Sequence, residues 1–155
     1  MPTKLLIILS TIIFSGCTIK QVVDPVDMSS TAELCIVENS AVKEGFLREL
    51  RATLTEKGIK HKIITEFSAT DTCEWTATYN ARWSWDLTIY LSYAEIKIFR
   101  NGELSGQALY DSRSGGANMN KFIDAEPKIR ELVNQLINKY SALFNQKRVS
   151  KDQYG

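Results

Sequence analysis

"WTATYNARWSWDLTIYLSYAEIKIFRNGELSGQALYD", residues 75–111, holds the most regular pattern in the chain. Ala77, Tyr79, Ala81, Trp83, Trp85, Leu87, Ile89 and Leu91 are apolar, and Thr78, Asn80, Arg82, Ser84, Asp86 and Thr88 separate them. A period of two marks a sheet that buries one face. The phase then flips, with Ala94, Ile96 and Ile98 apolar against Glu95 and Lys97. Such a slip requires a turn or a bulge, and the run from 75 to 100 is too long for one ordinary strand. The pattern predicts a turn near Ser84-Trp85-Asp86 and a bulge near Ser92-Tyr93. Asn101-Gly102 reads as a type I′ hairpin turn, because both central residues of that turn need positive φ. "ELSGQALYDS" then returns as the last strand.

Outward from this core the chain adds helices. "ELCIVEN" contains a short strand, Leu34 to Glu38, and Ser40 reads as the N-cap of a helix. Val42, Phe46, Leu47, Leu50 and Leu54 give that helix one apolar face. Gly58 suits a left-handed stop, with Ile59 closing over it. A short strand over about 61–67 follows, so strand, helix and strand are compatible with a βαβ unit. On the far side, "RSGGANMN" is a loop. The last helix places Phe122, Ala125, Ile129, Leu132, Val133, Leu136, Ile137 and Tyr140 on one face. Pro127 fits its first turn with Asp124 as cap, or else marks a kink. The order β-α-β-β-β-β-α predicts an α+β two-layer sandwich: a mostly antiparallel sheet of about five strands with two helices on one face.

The N-terminus is an address. Lys4 precedes an apolar run, Leu5 to Phe14, broken only by Ser10 and Thr11. Ten helical residues span roughly 15 Å, half of a bilayer core, which suits a signal peptide rather than a membrane span. "FSGC", residues 14–17, resembles the lipobox of bacterial lipoproteins, although Phe14 stands where Leu is usual. The resemblance implies cleavage before Cys17 and acylation of its thiol and new amine. Several acyl chains anchor firmly where one holds only reversibly. Thr18 after the cysteine, in place of Asp, implies sorting to the outer membrane, facing the periplasm. The chain divides into a signal peptide (1–16), a lipidated tether (17–32) without period that could reach roughly 45 Å when extended, a single α+β domain (33–144) and a polar tail (145–155).

The 155 residues carry 19 basic and 18 acidic side chains, and the signal removes only Lys4 of these. A charge so balanced gives no footprint for nucleic acid. Of three cysteines, Cys35 and Cys73 remain after Cys17. In an oxidising periplasm this pair reads as a disulfide, closing a loop of about 38 residues and adding roughly 3–4 kcal/mol on the chain-entropy model. The other reading is two separate buried thiols. A single histidine, His61, without clustered ligands argues against a metal site.

Candidates for chemistry are few. His61 lies between Lys60 and Lys62 with no nucleophile elbow, so hydrolase chemistry lacks its parts. Asp86, Glu95, Asp111, Asp124 and Glu126 are scattered, and salt bridges with Arg82, Arg100 or Arg113 are their expected fate. No catalytic residue and no cofactor is assigned. Arg113, Gly115 and Gly116, with Lys121 nearby, could offer an anion loop before the helix, or serve only as a flexible connection. Trp83 and Trp85 share a face if one strand runs through them. They read as core packing, or as an exposed aromatic patch for a protein or lipid partner. Tyr90 has the opposite phase and is the better surface candidate.

"CIVENSAV", "YNARWSWD", "YAEIKIFRNG", "ALYDSRSGG" and "KFIDAEPKIRELV" together resemble a family of small uncharacterised Gram-negative outer-membrane lipoproteins. That resemblance implies an outer-membrane lipoprotein and no activity or cofactor. More loosely, the element order looks like LptE and other envelope accessory lipoproteins, a likeness of fold that transfers no function. The expected function is a non-enzymatic accessory or protein-interaction module of the cell envelope, with a membrane partner through its lipid and an envelope protein partner. The alternative is a binding module for a lipid, glycan or other envelope small molecule, which needs an apolar pocket between sheet and helices.

Overall fold

The computed structural model describes residues 18–29, 31–65 and 73–140, with only the backbone at 139 and 140. The lipobox, Cys17 and the tail 145–155 lie outside these residues. The alternating run forms three long antiparallel strands, β5 (Trp75–Asp86), β6 (Thr88–Arg100) and β7 (Glu103–Asp111). They belong to a six-stranded sheet completed by β1 (Lys20–Asp24), β3 (Glu33–Val37) and β4 (Lys60–Ile64), in the order β1-β7-β6-β5-β3-β4. β3 runs parallel to both β4 and β5. The sheet is therefore mixed and six-stranded, where the sequence predicts a mostly antiparallel one of about five. A second, two-stranded parallel sheet joins β2 (Val26–Ser29) to β8 (Ile137–Tyr140).

The bulge falls where the phase predicts it. Arg82 pairs with Tyr93 and Trp83 with Leu91, so Ser92 is the extra residue. This residue returns Leu91 and Ile89 to the side of Trp83 and Trp85, and one apolar face runs the length of the hairpin. The turn itself comes later than predicted. β5 continues through Asp86, and Leu87 alone makes the reversal with φ of 62°. At the other hairpin Asn101 and Gly102 both have positive φ, 50° and 83°, as a type I′ turn requires.

Two helices cover this face, α1 (Glu44–Glu56) and α2 (Ala125–Leu136). Phe46, Leu50 and Leu54 of α1 and Ile129, Leu132, Val133 and Leu136 of α2 are buried against Leu34, Ile36, Ala77, Ile96, Ile98 and Ala108. Phe46 stacks on Tyr79, with ring centroids 5.2 Å apart. Arg130 ties the helices together, donating to both carboxylate oxygens of Glu56 at 2.9 Å and to Glu49 at 3.1 Å. α1 ends as its glycine predicts. Gly58 takes φ of 65°, its N–H donates to Thr55 O and that of Ile59 to Leu54 O, which satisfies the last carbonyls.

α1 starts later than predicted. Ser40 lies in a turn and Lys43 is the residue before the helix. Asn39 explains the delay: its side chain accepts from the Ala41 N–H at 3.0 Å and donates to Tyr79 O at 3.1 Å, which holds a turn ahead of the helix. Pro127 sits in the first turn of α2, and Asp124 precedes that helix without a side-chain capping bond. The helix stops at Leu136 rather than running to Tyr140, because the next residues extend beside β2.

The tether reading is also corrected. Lys20–Asp24 pairs with β7, and Val26 and Met28 are buried in the core. An edge strand with mostly exposed side chains has no period to read, and four residues of β2 are too few to establish one. The crossing from β1 to β2 passes directly over Gly106. A Cβ there would lie 2.8 Å from Asp24 O and 3.1 Å from Val26 Cβ. The disulfide forms between Cys35 and Cys73, with Cα atoms 6.2 Å apart. Cys35 alternates with core-facing Leu34 and Ile36, so the bridge braces the sheet on the face away from the helices.

Two stability measurements check these contacts. Gly106→Ala is expected to lower unfolding stability by about 1–3 kcal/mol in urea titration, since backbone must shift to admit one methyl group. Cys73→Ser is expected to cost roughly 3–4 kcal/mol for its loop of 38 residues.

Candidate functional site

Trp83, Trp85, Tyr90, Arg113 and Lys121 lie toward one end of the sheet, around the free end of the β5–β6 hairpin. There the structure separates three aromatic residues that the pattern treats together. Trp83 is half-buried against the core with Lys43 Nζ 4.9 Å from its ring centre. Trp85, in line with it, is 75% exposed. Tyr90 is 8% exposed and meets Phe122 edge to face at 5.2 Å. The expectation that Tyr90 faces solvent is therefore corrected. Phase assumes that a strand's second face is open, and here the chain between β7 and α2 folds back over it. Of the two tryptophans, core packing holds for Trp83 and exposure for Trp85.

The anion loop is corrected for an electrostatic reason. Lys121 is 5% exposed, and its ammonium donates to Asp86 Oδ2 and to Gly116 O. Arg113 grips Asp111 through Nε at 2.9 Å and through Nη2 at 2.6 Å, and stacks over Tyr93. Both cations already hold carboxylates, so little positive field is left for a ligand. Gly116 does adopt φ of 50°, and Gly115 permits close packing, with Ser112 O 2.8 Å from where a Cβ would stand. These glycines shape the turn that carries Lys121 to Asp86.

The remaining polar candidates stay apart. His61 is on edge strand β4, half-buried, with Nδ1 3.1 Å from Ile59 O. Glu95 pairs with Lys97, Glu126 with Arg48, and Glu33 with Lys62. No group of three or more metal-ligating side chains occurs among the described residues. The Glu131 carboxyl is held below the usual range by hydrogen bonds from Gln21 and Lys128. The Asp111 carboxyl is held low by the hydrogen bonds from Arg113, against a smaller opposing effect of burial.

Three clefts open on the surface of the described residues, and one of them, of about 370 Å³, lies between α1 and His61 of β4. One of about 480 Å³ borders the disulfide, with Glu33, Cys35, Trp75 and Arg100 in its wall. Another, about 430 Å³, opens on the far face over Thr76, Thr78 and Phe99. Between the layers the buried side chains of α1 and α2 pack against the sheet. The sequence does not group the polar lining of the cleft beside the disulfide, because Glu33, Glu74 and Arg100 come from three distant segments.

A scan against protein-family models and a search of curated proteins each find no match. Among solved structures, the dodecamer of a single-substitution variant of PelC from Paraburkholderia phytofirmans is similar, with a TM-score of 0.52 and 15% identity over 77% of this chain and 96% of that one. The PelC dodecamer in another crystal form gives 0.51 and 14%, over 77% and 98%. A minor lipoprotein from Acinetobacter baumannii gives 0.40 and 12%, over 68% and 90%. The PelC likeness establishes a shared fold.

The Asp111–Arg113 pair yields a pH prediction. A carboxyl whose folded pKa is depressed adds stability that is present above its unfolded value, about 4, and lost as pH falls through the folded value. Wild type is therefore expected to exceed Arg113→Ala in denaturant midpoint at neutral pH. The gap should close as the solution is acidified below about pH 4, and NMR of the Asp111 carboxyl should show its pKa rising in the variant.

Proposed function

We propose that this protein is a lipid-anchored component of the cell envelope, held by an acylated Cys17 to the outer membrane and facing the periplasm. In this reading it is a non-enzymatic accessory that docks on another envelope protein. The observation that carries the proposal is the position of the lipobox cysteine. Cys17 stands three residues ahead of β1, so the anchor joins a folded sheet almost directly, and the domain is held against the membrane. A protein fixed this way acts on what shares its surface.

The distribution of polar groups supports a docking role over catalysis. Acid–base work needs side chains converging on one cleft. Asp86, Glu95 and Asp111 each face a cation of their own, and His61 lies on β4, at the opposite edge from β1. For docking, the sheet offers two edge strands, β1 and β4, whose backbone groups could pair with an added strand. The similar PelC structures are dodecamers, so a second copy of this chain is one partner to look for.

Two measurements in intact cells test the reading. Palmitate labelling is expected for wild type and lost in Cys17→Ser; label that survives the substitution ends the anchor. In-cell crosslinking is expected to capture a defined envelope protein or a ladder of self-products, and a chain that stays monomeric and uncrosslinked ends the docking role.

A further inference from the structure

The apolar face of the central hairpin does not end where the helices end. Trp83 pairs with Leu91 and Trp85 with Ile89, in phase with the core-facing pairs Ala77–Ile98, Tyr79–Ile96 and Ala81–Ala94. Over the inner pairs α1 and α2 supply cover. At the tip Trp85, Leu87 and Ile89 are 75%, 81% and 63% exposed. On the opposite side of the tip, Lys121 holds Asp86. Three large apolar side chains within five residues, uncovered among the described residues, form a patch of the kind that marks an interaction site.

Local stability does not account for this tip. Leu87 takes φ of 62°, the left-handed region that Gly or Asn adopts at least cost. A bulky apolar residue there is unfavourable for the backbone and for solvation alike. Asp86 is the one charged residue from 85 to 89, and the buried Lys121 neutralises it.

The direction of β1 identifies what the tip meets. Lys20 pairs with Asp111, Asp111 with Tyr93, and Tyr93 with Arg82, so these four form one row across the sheet. From that row β1 runs away from the tip. Followed backwards, the chain leaves Lys20 toward the tip's end of the sheet. Cys17 is three residues further, within about 10 Å of Lys20. The hairpin extends five residues past Arg82 to Leu87, roughly 16 Å. The chain that follows Cys17 therefore enters β1 at the end of the sheet from which the tip projects.

We propose that the β5–β6 tip is a second membrane anchor, with Trp85, Leu87 and Ile89 inserted into the bilayer beside the lipidated Cys17. The inference rests on the lipid anchor proposed above. A lipid alone leaves a domain free to swivel about one covalent joint. A second contact at the same end fixes its orientation and presents the opposite end, with the cleft beside the disulfide, to the periplasm.

The full lipoprotein, purified from bacterial membranes, tests this in phosphatidylethanolamine–phosphatidylglycerol vesicles that contain phosphatidylcholine brominated in mid-chain. The difference in fluorescence between wild type and Trp85→Phe isolates Trp85. Expected are blue-shifted emission in vesicles, quenching by the bromines, and loss of most of that quenching in Leu87→Asn. The same variant should unfold no earlier than wild type, since Asn suits the turn. Emission from Trp85 that stays water-like, or that shifts blue without bromine quenching, overturns the proposal, the latter by showing protein cover instead of lipid. The mass of the same preparation separates the two readings. Acylated protein with an unquenched Trp85 ends only the second anchor, whereas protein without acyl groups ends the lipoprotein reading and this inference with it.

Discussion

A sheet with its apolar residues on one face must have that face covered, and most of this structure follows from how the cover is made. The constraint begins in β5 and β6, where a single residue sets the outcome. Without the extra residue at Ser92, Leu91 and Ile89 would turn to the other side and the stripe would break at Ala94. With it, the apolar face is continuous from Trp75 to the tip. Ser92 is fully buried, and its hydroxyl donates to Arg82 O while accepting from Ser84, so the irregularity has its own hydrogen bonds. A bulge so satisfied is a stable feature of the strand.

Covering the face takes more than two helices. α1 and α2 pack side by side, joined at their outer surface by Arg130 and by the Arg48–Glu126 pair. α2 reaches β7, and the N-terminal segment adds to the cover there. That segment adds β1 to the sheet, crosses above Gly106, and buries Val26 and Met28 in the core as β2. The crossing comes this close because position 106 has no side chain. β8 in turn exists because β2 is there to pair with it. Two elements far apart in sequence thus depend on one glycine between them.

Electrostatics at the hairpin end serve the same architecture. Arg113 and Lys121 look like a loop prepared for an anion when read as a string of basic and glycine residues. Folded, each is bound to a carboxylate, Asp111 and Asp86, and together they fasten the loop to the sheet. Tyr90 is buried by that fastening. Surface and core exchanged places here through a contact between residues more than thirty positions apart.

What the sequence determines by itself is local. The period of two and its slip at Ser92 set the long strands and their bulge. Asn101-Gly102 set a turn that needs positive φ twice, Gly58 set the end of α1, and the spacing of Phe46, Leu50 and Leu54 set its buried face. Each follows from sterics or periodicity within a few residues. The sequence offered Cys35 and Cys73 as a bridge or as two separate thiols, and the fold brings them together as a disulfide. Tertiary structure alone decided the rest. The edge strand β1 has no amphipathic pattern, since both its faces are largely exposed, and β2 and β8 become strands only by meeting each other. The fates of Tyr90 and Lys121 depended on the ring and the carboxylate that lay opposite, more than thirty positions away, whereas Arg113 found its carboxylate two residues back, at Asp111. The exposed Trp85, Leu87 and Ile89 carry the same alternation as the buried core, and only the reach of the helices distinguishes them. Periodicity records which face a residue shares; whether anything covers that face is settled by distant parts of the chain.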